Sequence, residues 1–405
     1  MELSTTSGQE ARPDRNFFIG TNWISSFLLA GVLLGSTGPL LVAWQYHLGT
    51  DPRLIGLHFL AMNAGYLAAA ILSRFILLRF PVRLVAGGAS LIGCLAYVAL
   101  SWLPPPVPAF WRILALGFAG FSGGALVSAL LYGLRSRFAD APTEATARSG
   151  AFFGLGCLLA TLIVSTTYFV GSIQIQTLIL AVVPLCYAVF FLRTKRQKPV
   201  TEEVDDAAFG PITNLRSLAP VLFSLLLFFQ FGNEWSIAGW LPLFLIHHLG
   251  VNPAGALFTL ALYFATLMLG RFLALWLLRR LGNRKLLLGS LAVAMLGCLS
   301  LGLTNSLIEA VIAVIATGLG FAPVYPLVAQ HLDDRFSFHP AFYNSIFSVG
   351  ITGALCAPWL LGYVNAYLPS EYLVLVPAIG AMMVLILAFL LMLDAHLVAS
   401  RPHSS

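Results

Sequence analysis

Apolar residues in this chain come in runs long enough to cross a bilayer, and there are twelve such runs. They cover roughly 17–43, 53–78, 84–103, 108–134, 148–170, 172–193, 218–246, 253–278, 286–304, 307–332, 340–367 and 371–397. About twenty apolar residues as a helix span the hydrocarbon core. Lipid offers no hydrogen-bond partners, so each run must be helical. Only 9% of residues are charged, against about 25% in soluble domains. The sequence therefore predicts an all-α integral membrane protein of twelve transmembrane helices. The net charge of +6 does not indicate nucleic acid, because the basic residues sit between apolar runs, where they set topology. Cys94, Cys157, Cys186, Cys298 and Cys356 all fall inside runs with no CxxC pair, so no disulfide framework or zinc site is indicated. The first run is too long for a signal-peptide core and is expected to remain as a helix.

An even number of spans puts both termini on one side. Most lysines and arginines lie in loops and ends on that side, and only Arg53 and Arg112 fall opposite. Arg74 and Arg271 lie near the same side of their spans and are expected to snorkel to it. The positive-inside rule then places both termini in the cytosol of a cell whose inner membrane holds the chain. Trp44, Trp102 and Trp111 end their spans on the opposite side, where an interfacial belt is expected. Residues 194–217 join a basic run to an acidic one with two prolines, as a solvated linker does. The expected layout is a tail at 1–16, a six-helix bundle at 17–193, the linker at 194–217, a second bundle at 218–398 and a tail at 399–405.

The bundles echo each other. Arg79-Phe80-Pro81-Val82-Arg83 joins spans two and three, and Arg280-Leu281-Gly282-Asn283-Arg284 joins spans eight and nine. Phe153-Gly154-Leu155-Gly156 in span five parallels Phe347-Ser348-Val349-Gly350 in span eleven. A parallel repeat of this kind puts a solute site between the halves, near the midplane.

Span seven carries the chemistry. Between Pro220 and Ile246 the only carboxylate is Glu234, close to the midplane. A charge there costs several kcal/mol on insertion scales and is functional by default. Gln230 lies one turn before it on the same face, with Asn233 beside. Gly232 and Ser236 form a small face for a neighbouring helix. Pro242 frees the carbonyl of Ala238 and is expected to break the helix. No lysine or arginine is expected at Glu234's depth, so its partner would be a proton, a sodium ion or a solute hydroxyl. Asn63 is expected to line the cavity, and Asn344 to serve packing or a gate. Trp240, Tyr263, Tyr325 and Trp359 offer rings with a polar tip, which suit an amphipathic solute. Pro323 and Pro326 should bend span ten. His247 and His248 are expected to form a solvated pair, with Glu309 and Arg112 facing headgroups or water. No G-x-x-x-x-G-K-[ST] loop, zinc spacing or G-x-S-x-G elbow occurs, so an enzyme is not expected.

Two six-span halves, a central linker and arginine-bracketed 2–3 and 8–9 loops resemble the major facilitator superfamily. The resemblance covers the whole chain and implies a rocker-switch transporter with spans 1, 4, 7 and 10 lining the cavity. Its loop signature is altered here, with Leu78 and Arg279 where the family carries aspartate and Pro81 for a glycine. Arg79, Arg83, Arg280 and Arg284 would belong to its cytosolic gate. Gly232-Asn233-Glu234-Trp235-Ser236 with Trp240 is similar to helix 7 of the fucose–galactose–glucose proton-symporter group. Gly320-Phe321-Ala322-Pro323-Val324-Tyr325-Pro326 resembles its helix 10, and the run from Gly353 through Ala357-Pro358-Trp359 to Gly362 its helix 11. Fucose permeases carry acidic residues in helices 1 and 4, which are missing from these spans, so proton coupling here would run differently.

The reading is a secondary transporter of a small polar solute, such as a sugar. It would act as a monomer in membrane lipids, without cofactors, coupled to a proton or sodium ion through Glu234. An exporter of amphipathic compounds fits the apolar first half. A transporter-like receptor or scaffold fits the same architecture.

Overall fold

Helices in this chain begin where a side chain can take up the free amides of a first turn. Asp51 accepts from the Arg53 amide at 2.9 Å ahead of Pro52, and Asn252 accepts from the Gly255 amide at 2.8 Å ahead of Pro253. These two Asx-Pro starts stand as far apart as the two arginine-bracketed loops, a second copy of the repeat. A computed structural model describes residues 23–135, 142–193, 218–328, 340–368 and 375–399. The linker, both expected tails and the side chains of Arg74 and Asn344 lie outside the described residues.

The first half holds α1 (Phe27–Gly35), α2 (Thr37–Ala43), α3 (Pro52–Arg79), α4 (Val82–Ser101), α5 (Ala109–Arg135), α6 (Pro142–Thr167) and α7 (Ile173–Arg193). The second holds α8 (Leu218–Leu249), α9 (Pro253–Leu281), α10 (Asn283–Gly302), α11 (Leu307–Phe321), α12 (Pro340–Tyr367) and α13 (Leu375–Ala399). Among the described residues ten helices are long and apolar enough to cross a membrane; α1 with α2 makes a bent pair, and Pro377–Leu391 is a shorter apolar stretch. This is consistent with twelve spans.

The first span is not one helix, as expected, but two, bent by 41°. Pro39 cannot donate to the Gly35 carbonyl and its ring crowds it. The Tyr97 hydroxyl of α4 fits against the break, 2.9 Å from the Val32 carbonyl and 2.8 Å from the Ser36 hydroxyl. Span seven shows the opposite outcome, because α8 runs unbroken through Pro242. Span ten is interrupted, with α11 ending at Phe321, a turn at Ala322-Pro323 and helix again to Val328.

Helix partners repeat between the halves. Span two packs on span four in the first half (α3 on α5), and span eight on span ten in the second (α9 on α11). Spans three and six pair (α4 on α7), as do nine and twelve (α10 on α13). Spans one and five pair (α1 on α6), as do seven and eleven (α8 on α12). Across the seam α3 meets α12 and α9 meets α6, so each half's second span meets the other's fifth. A parallel repeat related by rotation produces this scheme. The fold is two pseudo-symmetric six-helix bundles.

We call the end holding residues 44–51 and 250–252 the far face and the opposite end the near face. One apolar cluster fills the first half, from Trp23, Val85 and Phe191 at the near face, and joins the second half through Leu40, Phe59, Trp240 and Leu361 at the far face. Toward the near face the second half keeps a separate cluster, from Leu222 and Leu226 to Leu287 and Leu391.

Candidate functional site

Gln230 and Glu234 lie one turn apart at the middle of α8, and the Gln230 amide donates to Glu234 Oε1 at 2.7 Å. The expected shared face is therefore real. The expectation that no cation lies at this depth is not. Arg271 of α9 places Nη2 3.9 Å from Glu234 Oε2 and donates through Nη1 to the Gly150 carbonyl of α6. Ten residues separate Arg271 from the end of α9, about 15 Å of helix, too far for snorkelling to free it. Turned inward, it finds a carboxylate and a carbonyl that replace part of its hydration, while its Nε meets no partner among the described residues. The sequence reading puts Arg271 near the cytosolic end of its span; its depth and its inward direction come from the fold.

The Tyr263 hydroxyl donates to the Glu234 carbonyl at 3.5 Å. On the other flank Trp235 meets Phe153 of α6 edge to face at 6.3 Å. The Glu234 and Arg271 side chains retain 14% and 13% exposure, so the pair is neither sealed nor freely solvated. Gln230 is fully buried, and its Oε1 accepts from no group among the described residues. A buried acceptor of this kind is costly to leave unmade, and it stands beside the ion pair.

Other candidates lie elsewhere. Asn233 faces α13, where a Cβ on Gly380 would come within 2.0 Å of its Oδ1. It therefore turns away from Glu234's carboxylate. Asn63 is buried in α3 and donates to its own helix at the Phe59 carbonyl, 2.9 Å. Trp240 sits toward the far face, donating to the Pro358 carbonyl at 2.9 Å and packing on Phe59 at 6.0 Å. Trp359 stacks edge to face on Tyr363 in the same region. Tyr325 packs on Phe231 at 5.6 Å and lies within electrostatic reach of Tyr66 across the seam. Of the eight residues expected to bind solute or ion, the structure gathers Glu234, Gln230 and Tyr263.

The bracketing arginines occupy equivalent near-face turns. Pro81 makes the first with an extended backbone, and Gly282 makes the second at φ 73°, a conformation that favours glycine. Arg79 and Arg284 are exposed, Arg83 is half-buried, and Arg280 stacks over Trp276 at 4.1 Å.

Three far-face expectations are corrected. Arg112 does not face headgroups; it is 4% exposed, bound to the Tyr46 hydroxyl and the Leu103 and Val107 carbonyls. Trp44 is buried beside it rather than in an interfacial belt, whereas Trp102 and Trp111 are exposed. His248 is not solvated with His247; it stacks on Phe244 at 5.0 Å and reaches the Thr304 carbonyl at 3.1 Å. For Arg112 and His248, carbonyls, a hydroxyl and rings supply what water would have supplied. Glu309 is exposed as expected, and it accepts from the Asn305 amide at the start of α11.

No curated protein matches the sequence significantly. A variant of the nucleoside transporter NupG has a similar fold, with TM-score 0.72 at 14% identity, covering 92% of this chain and 99% of that one. The transporter FucP in its outward conformation gives 0.65 at 17%, covering 93% and 99%. A structure of the E. coli fucose:proton symporter FucP gives the same score and identity. A model of the Major Facilitator Superfamily matches residues 23–351 and again residues 223–404. The second match begins about one half-chain later, as the internal repeat requires. By its sequence and its fold, the chain belongs to the major facilitator superfamily.

Proposed function

We propose that the chain carries a small polar solute bearing hydroxyl groups, of sugar or nucleoside type, between its two bundles by alternating access. Glu234 carries the coupling to an ion, with a proton as the first choice. Bundles at 17–193 and 218–398 rock about the mid-span site, and both termini lie in the cytosol, so that the near face is cytosolic. The observation that carries this reading is the unpaired Gln230 Oε1 beside Glu234 and Arg271. A solute hydroxyl can donate to that oxygen while accepting from the guanidinium, and Trp235 and Phe153 offer apolar ring surface to the same ligand. The fold neighbours that move a nucleoside and fucose are in keeping with such a solute.

The test starts from a thermal-shift screen of purified protein against sugars and nucleosides, since a bound solute stabilises by RT ln(1 + [L]/Kd). The stabilising solute is then used in liposomes with proton and sodium gradients applied separately. Glu234→Gln, which keeps shape and removes titration, should abolish uphill accumulation and leave exchange largely intact. Accumulation by Glu234→Gln equal to that of the unaltered chain would sink the coupling role.

A further inference from the structure

One side chain at the site belongs to both halves. Arg271 projects from α9 of the second bundle, and its Nη1 takes the Gly150 carbonyl of α6 in the first. Its Nη2 lies 3.9 Å from Oε2 of Glu234 in its own bundle, an ion pair longer than a hydrogen bond. The α6–α9 contact is one of the two helix pairs that pair span five with span eight or span two with span eleven across the seam. Gly150 and Gly154 both face the guanidinium at contact distance: a Cβ on Gly150 would lie 3.4 Å from Nη1 and one on Gly154 3.7 Å from it. The guanidinium fork is rigid and planar, so the direction of one arm sets that of the other.

We infer that Arg271 is a positioning residue that ties the charge on Glu234 to the grip between the two bundles. With Glu234 ionised, the carboxylate fixes the fork and the fork holds Gly150. When a proton neutralises Glu234, one arm loses its counter-charge. The guanidinium is then left in a partly buried site with one carbonyl, an arrangement that favours release toward water or solute. The α6–α9 contact loosens as a consequence. Gly150 offers a backbone carbonyl, so no side-chain change in α6 can substitute for it, and the response depends on Arg271. The other titratable groups in electrostatic reach of the pair are Cys157 on α6 and Tyr263 on α9, with Cys298 of α10 behind Tyr263. On α8 itself the flanking polar groups, Gln230 and Asn233, do not titrate.

This inference rests on the coupling role of Glu234, and the experiment separates the two. The probe is a membrane-impermeant maleimide applied at the near face to Gly154→Cys, in a chain whose five native cysteines are alanine. No solute is needed. As pH falls from one unit above the titration of Glu234 to one unit below it, the labelling rate, divided by the thiolate fraction at each pH, should rise by about tenfold, because the neutral fraction of Glu234 rises from about a tenth to about nine-tenths. Adding Glu234→Gln should give the fast rate at every pH. Adding Arg271→Gln should do the same, and Arg271→Lys, which keeps the charge, should restore part of the pH response. Size exclusion and thermal unfolding of each variant show that the fold persists. If Arg271→Gln keeps the pH profile of the parent, the inference is overturned even where Glu234→Gln has lost uphill accumulation. If Glu234→Gln still accumulates solute, the coupling reading fails by itself, and a flat Arg271→Gln profile still shows that Arg271 grips the seam.

Discussion

The halves touch at the far face through backbone and at mid-span through charge. At the far face a Cβ on Gly38 would fall 2.6 Å from the Ala238 carbonyl oxygen, and one on Gly362 2.6 Å from that of Pro52. Gly38 and Gly239 occupy equivalent places in the repeat, and they meet, as residues on a rotation axis do. The Ala238 carbonyl is the one Pro242 leaves without its helical donor, so the proline that was expected to break α8 instead exposes an acceptor to the opposite bundle. At mid-span the polar contact is one guanidinium on one carbonyl, beside the ring pair of Trp235 and Phe153. Close backbone packing is insensitive to protons and solutes. An ion pair with a partly exposed carboxylate is sensitive to both. One seam can thus close a path while the other senses what occupies the site.

Glycine substitutions test that contrast most strongly. Within the second half a Cβ on Gly353 would fall on the Phe228 carbonyl oxygen at 1.8 Å. Gly353→Ala must therefore drive α8 and α12 apart, with a cost at or above the usual overpacking range of about 1–3 kcal/mol. Its unfolding temperature should fall steeply. Gly38→Ala adds the same methyl between bundles that can part as units, so it should fold nearly normally and raise labelling of far-face cysteines. Equal destabilisation by the two variants would break the comparison. Trp240→Phe removes the donor to the Pro358 carbonyl and should cost about 1 kcal/mol, read as a smaller fall in unfolding temperature. Rescue of that loss by solute would place Trp240 in the site after all.

The smallest effect concerns His47 in the turn after α2. Burial, with His247 of the other half nearby, holds its pKa below the ordinary value. A depressed histidine favours its neutral form in the folded state. Far-face closure should therefore weaken as pH falls below about 6.5, the unperturbed value, with the loss complete below the folded pKa. Far-face labelling against pH should show this, and His47→Gln should flatten it. An unchanged profile in that variant would assign the response to other groups.

Much of the architecture was legible before any coordinates. Run lengths read as helices, and the arginine brackets read as a repeat. The spacing of Gln230 and Glu234 required a shared face, since residues four apart lie one above the other on a helix. The small face at Gly232 meets α12 as the pattern suggested, with the Ala357 Cβ 3.1 Å from a Cβ placed there. The errors share a form. Asn233 was grouped with Glu234, but it lies about 100° around the helix, and only the position of α13 decides what that direction faces. Arg271 and Arg112 turn inward to Glu234 and the Tyr46 hydroxyl and to backbone carbonyls that no sequence pattern marks, partners that only the fold brings near.

Sequence alone determined that this chain spans a membrane many times, in two related halves, with a costly carboxylate at mid-depth. Those properties follow from hydrogen-bond satisfaction in lipid and from helical periodicity, both local to a span. Tertiary structure alone decided which faces meet across the seam. It turned Arg271 inward to Glu234, left Gln230 Oε1 without a donor and set Gly38 against Gly239. In a membrane, the apolar effect does not choose between helix faces, because lipid and leucine are alike. The choice falls to close packing and to a few polar contacts between residues far apart in the chain.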